Sequence, residues 1–372
     1  MNSLFYFFIN KIQSKMHLRP KCHILITISG GQDSNILLIW FLIISHQCQF
    51  KILTIYCNHL WSSDSLKLMF QLTRFFFLLK KPLIIPITFL NLKNENQARI
   101  WRYFLFERIS FFTQFKYILT GHTNTDQVEG LLLKIIRGSG SQGLKPLKWK
   151  RAHNSFKYIC FSQKRINYDT LLFKSSKLKV VKKEILFQKN SLNDQNSLFI
   201  LRPLLDFNRY EINQLIRYFQ LPIWTDKTNL NMKYKRNRIR YEFLPIIRYF
   251  MNPNFDICLL RSLQNLTDEI DYLNLLTFKI LKSSVTFTDN KTIIIYNKNW
   301  FFALPKIFQK KLFLHSFQLL NLPLVNSTKI TNIVILMSIF SVKKKFYKFF
   351  CFTQFVIFFY KNCVIILKKK MD

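Results

Sequence analysis

Short apolar runs alternate with longer helical stretches over the first 140 or so residues of the chain. Four runs have the length and β-branched composition of buried strands, at residues 23–28, 51–57, 83–89 and 117–119. Four stretches have the length and spacing of helices, at residues 34–45, 65–79, 94–112 and 126–136. Apolar strands that alternate with helices predict an α/β fold, in which a parallel sheet is covered by helices on both faces.

The pattern changes twice in the rest of the chain. Residues 151–198 are rich in Lys, Ser and Asn and are expected to be irregular, while residues 198–201 return to a strand pattern. From residue 209 onward the pattern is mostly helical. We therefore expect three parts: an α/β domain over residues 1–210, a helical domain over 211–330 and a short basic C-terminal segment over 331–372.

A polar loop follows the first strand, at the sheet edge where parallel sheets bind their ligands. Its residues are Ser29, Gly30, Gly31, Gln32, Asp33 and Ser34. Glycines let a backbone approach an anion, and the N-terminus of the next helix directs N–H groups at it. An aspartate here is explained if Mg²⁺ bridges it to phosphate, so we expect a nucleotide site with Asp33 as metal ligand. The alternative is a tight turn with a helix cap.

The fourth strand is followed by T-G-H-T-N-T-D-Q-V-E, which places His122 and Asp126 at the same edge of the sheet. A lone histidine is more often structural, but the adjacent glycine and acidic helix start favour a role in the site. The preceding helix carries Glu95, Arg99 and Arg102 at a spacing that puts them near one face. That arrangement alone fits a solvated face equally well.

Basic residues gather in two later regions. The sequence R-G-S-G-S-Q-G-L from Arg137 predicts a loop rich in hydrogen-bond donors that contacts a substrate, or else an exposed linker. Arg202 and the R-N-R-I-R sequence at residues 236–240 lie near asparagine and aromatic residues. Such clusters suit contact with an RNA backbone and its bases, whereas a bare charge run is usually a solvated face.

The charge of the whole chain favours a nucleic-acid partner. There are 56 Lys+Arg against 19 Asp+Glu, a formal net charge of +37. Such an excess fits nucleic acid first and an anionic membrane second. The 7 glycines and 40 phenylalanines indicate an AT-rich genome, which also inflates the lysine count. We infer a gene of an organelle, with a plastid preferred to a mitochondrion or to a bacterial cytoplasm.

Seven widely spaced cysteines without a C-x-x-C motif indicate reduced thiols rather than a disulfide framework, a zinc ribbon or an iron–sulfur site. No apolar stretch reaches the ~18–20 residues that a membrane span needs. The N-terminal apolar run has no basic region before it, so no secretory signal is expected. We expect a protein of an organelle stroma or matrix.

In combination the motifs resemble the tRNA(Ile)-lysidine synthases, a family of the PP-loop ATP-pyrophosphatase superfamily. The S-G-G-x-D-S loop marks the superfamily. The more specific match is an ordered set over roughly residues 20–250: C-N-H at 57–59, E-x-x-x-R-x-x-R-Y, T-G-H…D-Q-x-E, R-G-S-G-x-x-G-L, R-P-L, and D-x-T-N…R-N-R-I-R. The resemblance implies a PP-loop nucleotide-binding domain followed by a helical tRNA-binding domain.

The resemblance also implies a ligase that uses ATP and Mg²⁺. The family adenylates the wobble cytidine of an isoleucine tRNA with a CAU anticodon, and free L-lysine then displaces AMP. The catalytic residues so implied are Asp33, Arg99, His122 and Asp126. The nucleotide-binding residues so implied are Ser29, Gly30, Gly31, Gln32, Asp33, Ser34 and His59. The tRNA-binding residues so implied are Arg137, Arg202, Arg236, Asn237 and Arg240. A homodimer is left open.

Two positions depart from the family pattern. The family usually shows two adjacent carboxylates after T-G-H-x-x, whereas this chain has Thr125 before Asp126, and Gly130 stands where threonine is common. The first departure keeps open a weakened or non-catalytic tRNA-binding relic. A PP-loop tRNA sulfur transferase is a further alternative, although Cys22 and Cys57 do not form the reactive pair it needs. The last alternative is a basic protein that binds membrane surfaces.

Overall fold

The computed structural model describes residues 2–61, 64–88, 92, 94–153, 169–174, 177–182, 198–224, 231–287, 293–320, 330–335, 350–351, 355–360 and 363–368. Contacts divide the chain into two compact units. The first contains Met1–Arg137 and Pro146–Leu260, and the second contains Gly138–Lys145 and Arg261–Asp372. Residue 210, the expected end of the first domain, lies inside the first unit.

The strands are β1 (His23–Ile28), β2 (Lys51–Tyr56), β3 (Leu83–Ile85), β4 (Tyr117–Leu119), β5 (Lys150–His153), β6 (Asp169–Lys174), β7 (Lys177–Lys182), β8 (Leu198–Leu201), β9 (Val285–Phe287), β10 (Ile293–Asn297), β11 (Phe350–Cys351), β12 (Phe355–Tyr360) and β13 (Cys363–Lys368). The helices are α1 (Asn2–Lys11), α2 (Gln32–Cys48), α3 (Ser65–Leu78), α4 (Glu95–Thr113), α5 (Asn124–Ile136), α6 (Ser141–Leu144), α7 (Arg209–Tyr218), α8 (Lys235–Arg238), α9 (Leu244–Ile246), α10 (Phe255–Ser284), α11 (Lys298–Ala303) and α12 (Lys306–Leu319). Segments of π-helix cover Ile12–Met16, Ile239–Phe243 and Ile247–Met251. None of the helices in the described ranges is long and apolar enough to cross a membrane.

The sheet of the first unit has the strand order β5-β8-β4-β1-β2-β3-β6-β7. Its five middle strands are parallel, which confirms the expected α/β class. The central position of β1 is explained by its composition, since Ile24, Leu25 and Ile26 are fully buried between helices. Strands β1 and β2 are in register from His23↔Lys51 to Ile28↔Tyr56. The loops that follow the two strands therefore begin side by side at the carboxyl ends of the strands.

Both edges of this sheet are antiparallel, which the sequence did not lead us to expect. Strand β5 pairs with β8, and the hairpin of β6 and β7 pairs with β3. These strands lie in the region predicted to be irregular, so that prediction was wrong there. Lysine is depleted in strands generally but common on sheet edges, where it discourages pairing with other chains.

The second unit contains an antiparallel sheet of order β11-β12-β13-β10-β9. It packs with α12 around a core that includes Ile294, Phe313, Ile357 and Ile366, all fully buried. Only helices and a basic tail were predicted for this region. Short apolar runs do not distinguish a strand from a buried helical turn by periodicity, and this is why the sheet was missed.

Gly130 lies inside α5, and a Cβ added there would meet no atom within 4 Å. Replacement by alanine removes the entropic cost of a helical glycine without a clash, so Gly130→Ala is expected to raise the free energy of unfolding by about 0.5–1 kcal/mol. Urea denaturation of the two proteins measures the change. A decrease in stability would show that this part of α5 is more crowded than described.

Candidate functional site

The loop after β1 forms an anion cradle at the start of α2. The Ser29 N–H donates to Ser34 Oγ at 3.2 Å, and Ser34 Oγ donates to the Gly31 carbonyl at 2.9 Å, which closes the turn. Gly30 has φ +79°, and an added Cβ would lie 2.8 Å from Leu68 Cδ1. Gly31 caps α2 and has no side chain to satisfy the first N–H groups. The cradle therefore suits a phosphate group, such as those of a nucleotide.

The turn that contains Gly121 packs directly on this cradle. An added Cβ at Gly121 would lie 3.1 Å from both Asp33 C and Ser34 N, closer than most real Cβ contacts. The turn is anchored from the other side, because Thr120 N–H donates to the Leu201 carbonyl at 3.0 Å. A glycine at this position thus brings the residues after β4 next to the start of α2, as the parallel sheet predicts.

Asp33 lies in the cradle as a partly buried carboxylate. Burial, and next the charge of Asp126, raise the pKa of Asp33 to about 7, while Arg209 and Arg240 act in the opposite direction. A carboxylate with a raised pKa gains most from a cation. Mg²⁺ in proteins is held by one or two carboxylates together with substrate phosphates. Asp33 beside an anion cradle fits that donor set.

Two carboxylates of α5 bind two arginines of the segment 236–240; we call Asp126, Glu129, Arg236 and Arg240 the carboxylate clamp. Arg236 donates from Nη2 to Asp126 Oδ1 at 2.6 Å and from Nε to Glu129 Oε2 at 2.9 Å. Arg240 donates from Nε to Glu129 Oε1 at 2.6 Å and from Nη2 to Oε2 at 2.9 Å. Glu129 is fully buried. The clamp therefore joins α5 to α8 and the π-helical segment after it through charge-assisted hydrogen bonds.

Asp126 is held ionised and in one orientation. Burial would raise its pKa, but Arg236 and the Thr123 N–H lower it below the usual value. The Thr123 N–H donates to Asp126 Oδ2 at 2.9 Å, which is half of a capping box and explains why α5 begins here. Both carboxylate oxygens are thus engaged by this chain.

Two histidines at the sheet edge are neutral at pH 7. Burial lowers the pKa of His122 to about 4; Asp126 opposes this, and Arg202, Arg236 and Arg99 add to it. Its Nδ1 is 2.9 Å from Thr120 Oγ1. Burial, and next the charge of Arg102, lower the pKa of His59 to about 4 as well. Each imidazole can therefore form hydrogen bonds with a substrate, but neither carries a positive charge.

The remaining candidates are divided between buried and exposed positions. Arg202 is 1% exposed and donates from Nη1 to the Lys148 carbonyl at 2.8 Å. Asn237 is buried and donates from its amide to the Asn231 carbonyl at 2.9 Å. Arg99 is exposed, with its guanidinium 5.5 Å from the ring centre of Tyr103, and Arg137 is exposed after the end of α5. The predicted RNA contacts of these residues and of the clamp arginines stay predictions.

Three charged residues near the site were not among the predicted site residues. Glu129 completes the clamp. The charge of Arg209, at the start of α7, lowers the pKa of Asp33, and the charge of Arg102 lowers the pKa of His59. A signal for the clamp was present in the sequence. Asp126 and Glu129 are three residues apart and share one face of their helix. Arg236 and Arg240 are four residues apart and share one face of a different helical segment. Nothing local indicated that the two faces meet.

Comparison with known proteins agrees with this geometry. A family model described as a PP-loop domain matches residues 6–247. A chloroplastic tRNA(Ile)-lysidine synthase of Zygnema circumcarinatum is 32% identical over 275 residues, which are 73% of this chain and 64% of that protein. A tRNA(Ile)-lysidine synthase of a Synechococcus strain is 30% identical over 275 residues, which are 74% of this chain and 72% of that protein.

The chain matches less than two thirds of some relatives' length, including 57% of the chloroplastic tRNA(Ile)-lysidine synthase of Staurastrum punctulatum, which is 33% identical. Among solved structures, the U34-tRNA thiolase NcsA from Methanococcus maripaludis, with its 4Fe-4S cluster, has a TM-score of 0.51 and 12% identity. The alignment covers 72% of this chain and 78% of that one. At this identity the likeness concerns the fold alone.

Proposed function

Because the chain belongs to the tRNA(Ile)-lysidine synthase family of PP-loop proteins, we propose that it joins free L-lysine to the wobble cytidine of a tRNA(Ile) with a CAU anticodon. ATP is consumed, and AMP and pyrophosphate are released. The observation that supports this proposal most is the close packing of the Gly121 turn on the phosphate cradle. It brings Asp33, His122 and Asp126 to one edge of the sheet.

In the first step, the C2 oxygen of the cytidine attacks the α-phosphorus of ATP, and pyrophosphate leaves. The backbone N–H groups at the start of α2 would hold the phosphates. Asp33 would hold Mg²⁺, which neutralises charge on the phosphates when bound. Arg209 and Arg240 add positive charge around Asp33. Positive charge at these positions would stabilise the charge that develops on the leaving group.

In the second step, the unprotonated ε-amino nitrogen of lysine attacks C2 of the adenylated cytidine, gives up a proton to solvent water and displaces AMP. A histidine with a pKa of about 4 is a weak base at pH 7. We therefore assign His122 to a hydrogen bond with substrate rather than to proton transfer. Asp126, ionised and fixed by Arg236, sets the electrostatic field on that side of the site.

The proposal predicts incorporation of labelled lysine into tRNA(Ile) that depends on ATP. The full chain is incubated with the tRNA, ATP, Mg²⁺ and labelled lysine, and label in the tRNA is counted. A tRNA with a CAU anticodon from the methionine set is the substrate control, and Asp33→Ala is the protein control. Label that appears equally in both tRNAs, or that persists in Asp33→Ala, would contradict the assignment.

Thr125 supports one competing candidate, a tRNA-binding relic. It is 4% exposed within α5 and adds no charge beside Asp126. A relic would bind tRNA(Ile) with the affinity of an active enzyme and incorporate no lysine. The same incubation, combined with a filter-binding measurement, separates the two functions.

We place the protein in the plastid stroma. Relatives of this chain include proteins named as chloroplastic together with cyanobacterial ones. That distribution and the AT-rich composition support a plastid gene. A homodimer remains a prediction, which light scattering of the purified chain measures.

A further inference from the structure

Trp61 stands out among the six tryptophans of the chain because it is exposed. It is 45% accessible, whereas Trp40 and Trp101 are at most 1% accessible and the other three are partly buried. It follows β2 by five residues. Since β1 and β2 are parallel and in register, the segment that contains Trp61 and the loop that forms the phosphate cradle both begin at the carboxyl ends of the strands.

The Trp61 ring is held in one orientation. Its Nε1 donates to the Leu92 carbonyl at 3.2 Å. The His59 ring lies 5.3 Å away with an interplanar angle of 33°, and the buried Trp101 meets His59 edge-on at 4.9 Å. The backbone turn between them is also fixed, because Leu60 has φ +54° and its N–H donates to Asn58 Oδ1 at 3.0 Å. A leucine in this conformation costs free energy, and such strain is more common at functional sites.

Two properties of His59 point to a ligand beside this ring. Its Nδ1 is buried and has no hydrogen-bond partner among the described residues. The imidazole is neutral at pH 7 because burial and Arg102 lower its pKa to about 4. A neutral flat ring next to an exposed indole is a surface for another flat ring, and aromatic side chains commonly stack on nucleobases in this way.

We propose that Trp61 is a stacking platform for a nucleobase, with His59 and Trp101 as the residues that position its ring. The inference rests on the proposed function, in which ATP and a tRNA cytidine meet at this edge of the sheet. Both ligands present a planar base, and the chemistry of the platform suits either one. The adenine of ATP and the target base of the tRNA are therefore the two arms of the test.

The test compares the full chain with Trp61→Ala and Trp61→Phe. Dissociation constants are measured for ATP with Mg²⁺ by calorimetry and for tRNA(Ile) by filter binding. Trp61→Ala is expected to raise one of the two dissociation constants about tenfold, while Trp61→Phe keeps it within about threefold. A rise for ATP identifies adenine, and a rise for tRNA alone identifies the target base. Phe77→Ala, which removes another exposed aromatic ring, is the matched control.

Fluorescence gives a second readout that does not depend on the alanine variant folding. If a base stacks on Trp61, the ligand quenches part of the intrinsic emission of the parent protein, and Trp61→Phe loses that part. Unchanged dissociation constants in a folded Trp61→Ala, or quenching that is equal in Trp61→Phe, would overturn the platform. If the parent protein binds neither ATP nor tRNA, the proposed function fails first and the platform fails with it.

Discussion

Replacement of Asp33 by asparagine is expected to reduce lysine incorporation at least about 100-fold, the usual scale for loss of one charge-stabilising group in a reaction site. Asp33 is the carboxylate in the phosphate cradle, and a cation bound beside it would offset the burial that raises its pKa to about 7. Asparagine keeps the shape but removes the charge that would hold Mg²⁺. Single-turnover incorporation with excess protein measures the effect. Asp268→Asn, which changes an exposed aspartate of α10 in the second unit, is the matched control.

The same substitution is expected to stabilise the protein without its ligands. The pKa of Asp33 is raised on folding, so the folded state holds its proton more tightly than the unfolded state. Wild-type stability therefore falls as pH rises from about 4 to about 7 and is constant above that. Asp33→Asn avoids this loss, by on the order of 1–2 kcal/mol at pH 8 after allowance for solvent screening. Urea denaturation at pH 5 and pH 8 without ATP and Mg²⁺ measures the gain. A gain that shrinks toward pH 8 would contradict the electrostatic account.

Loss of Glu129 is expected to destabilise the fold more than any other change considered. Glu129→Ala leaves Arg236 and Arg240 with unpaired hydrogen-bond donors in a mostly buried site. Removal of one partner from a buried ion pair costs about 3–5 kcal/mol. Thermal and urea unfolding measure the loss, and tRNA binding is measured on whatever fraction stays folded.

An exposed pair of the same chemistry provides the control for Glu129. Glu242 accepts from Arg238 Nε at 3.1 Å, and both side chains are at least half exposed. Glu242→Ala is expected to change stability by about 0–1 kcal/mol. Equal losses for the two variants would mean that the clamp is as solvated as the surface pair. The contrast therefore tests burial itself, since residue type and partner type are the same.

The middle of the sheet could be predicted because local signals agreed there. Strands β1 and β4 have the predicted bounds, and the phosphate loop lies where S-G-G-x-D-S follows a strand. The N-terminal helix α1 and the aromatic contact of Phe8 with Trp40, at 4.1 Å between ring centres, were not predicted. That contact joins positions 32 residues apart (40 − 8), and sequence periodicity carries no information on such pairing.

The contacts among the candidate site residues could not be predicted from the sequence. Arg236 and Arg240 were expected to face RNA, because clustered arginines with asparagine are typical of that role. The structure shows that both guanidinium groups bind Asp126 and Glu129, a contact that was not predicted, while their contact with RNA stays a prediction. Arg236 reaches those carboxylates only because α8 packs near α5, and the sequence does not show that packing. In the second unit, the pairing of β10 with β13 also joins strands distant in sequence, and no local signal predicts it.

The carboxylate clamp restricts which arginine codons of this gene can mutate to lysine codons without loss of stability. An AGA or AGG arginine codon becomes a lysine codon through a single G-to-A change, which is the direction in which an AT-rich genome drifts. Lysine is a point charge and cannot supply the forked donors with which Arg240 binds both oxygens of Glu129. At most surface positions the exchange costs little. At residues 236 and 240 the exchange would leave the buried Glu129 carboxylate with fewer hydrogen-bond donors. We therefore expect selection to retain arginine at these two positions, while mutation replaces it with lysine elsewhere.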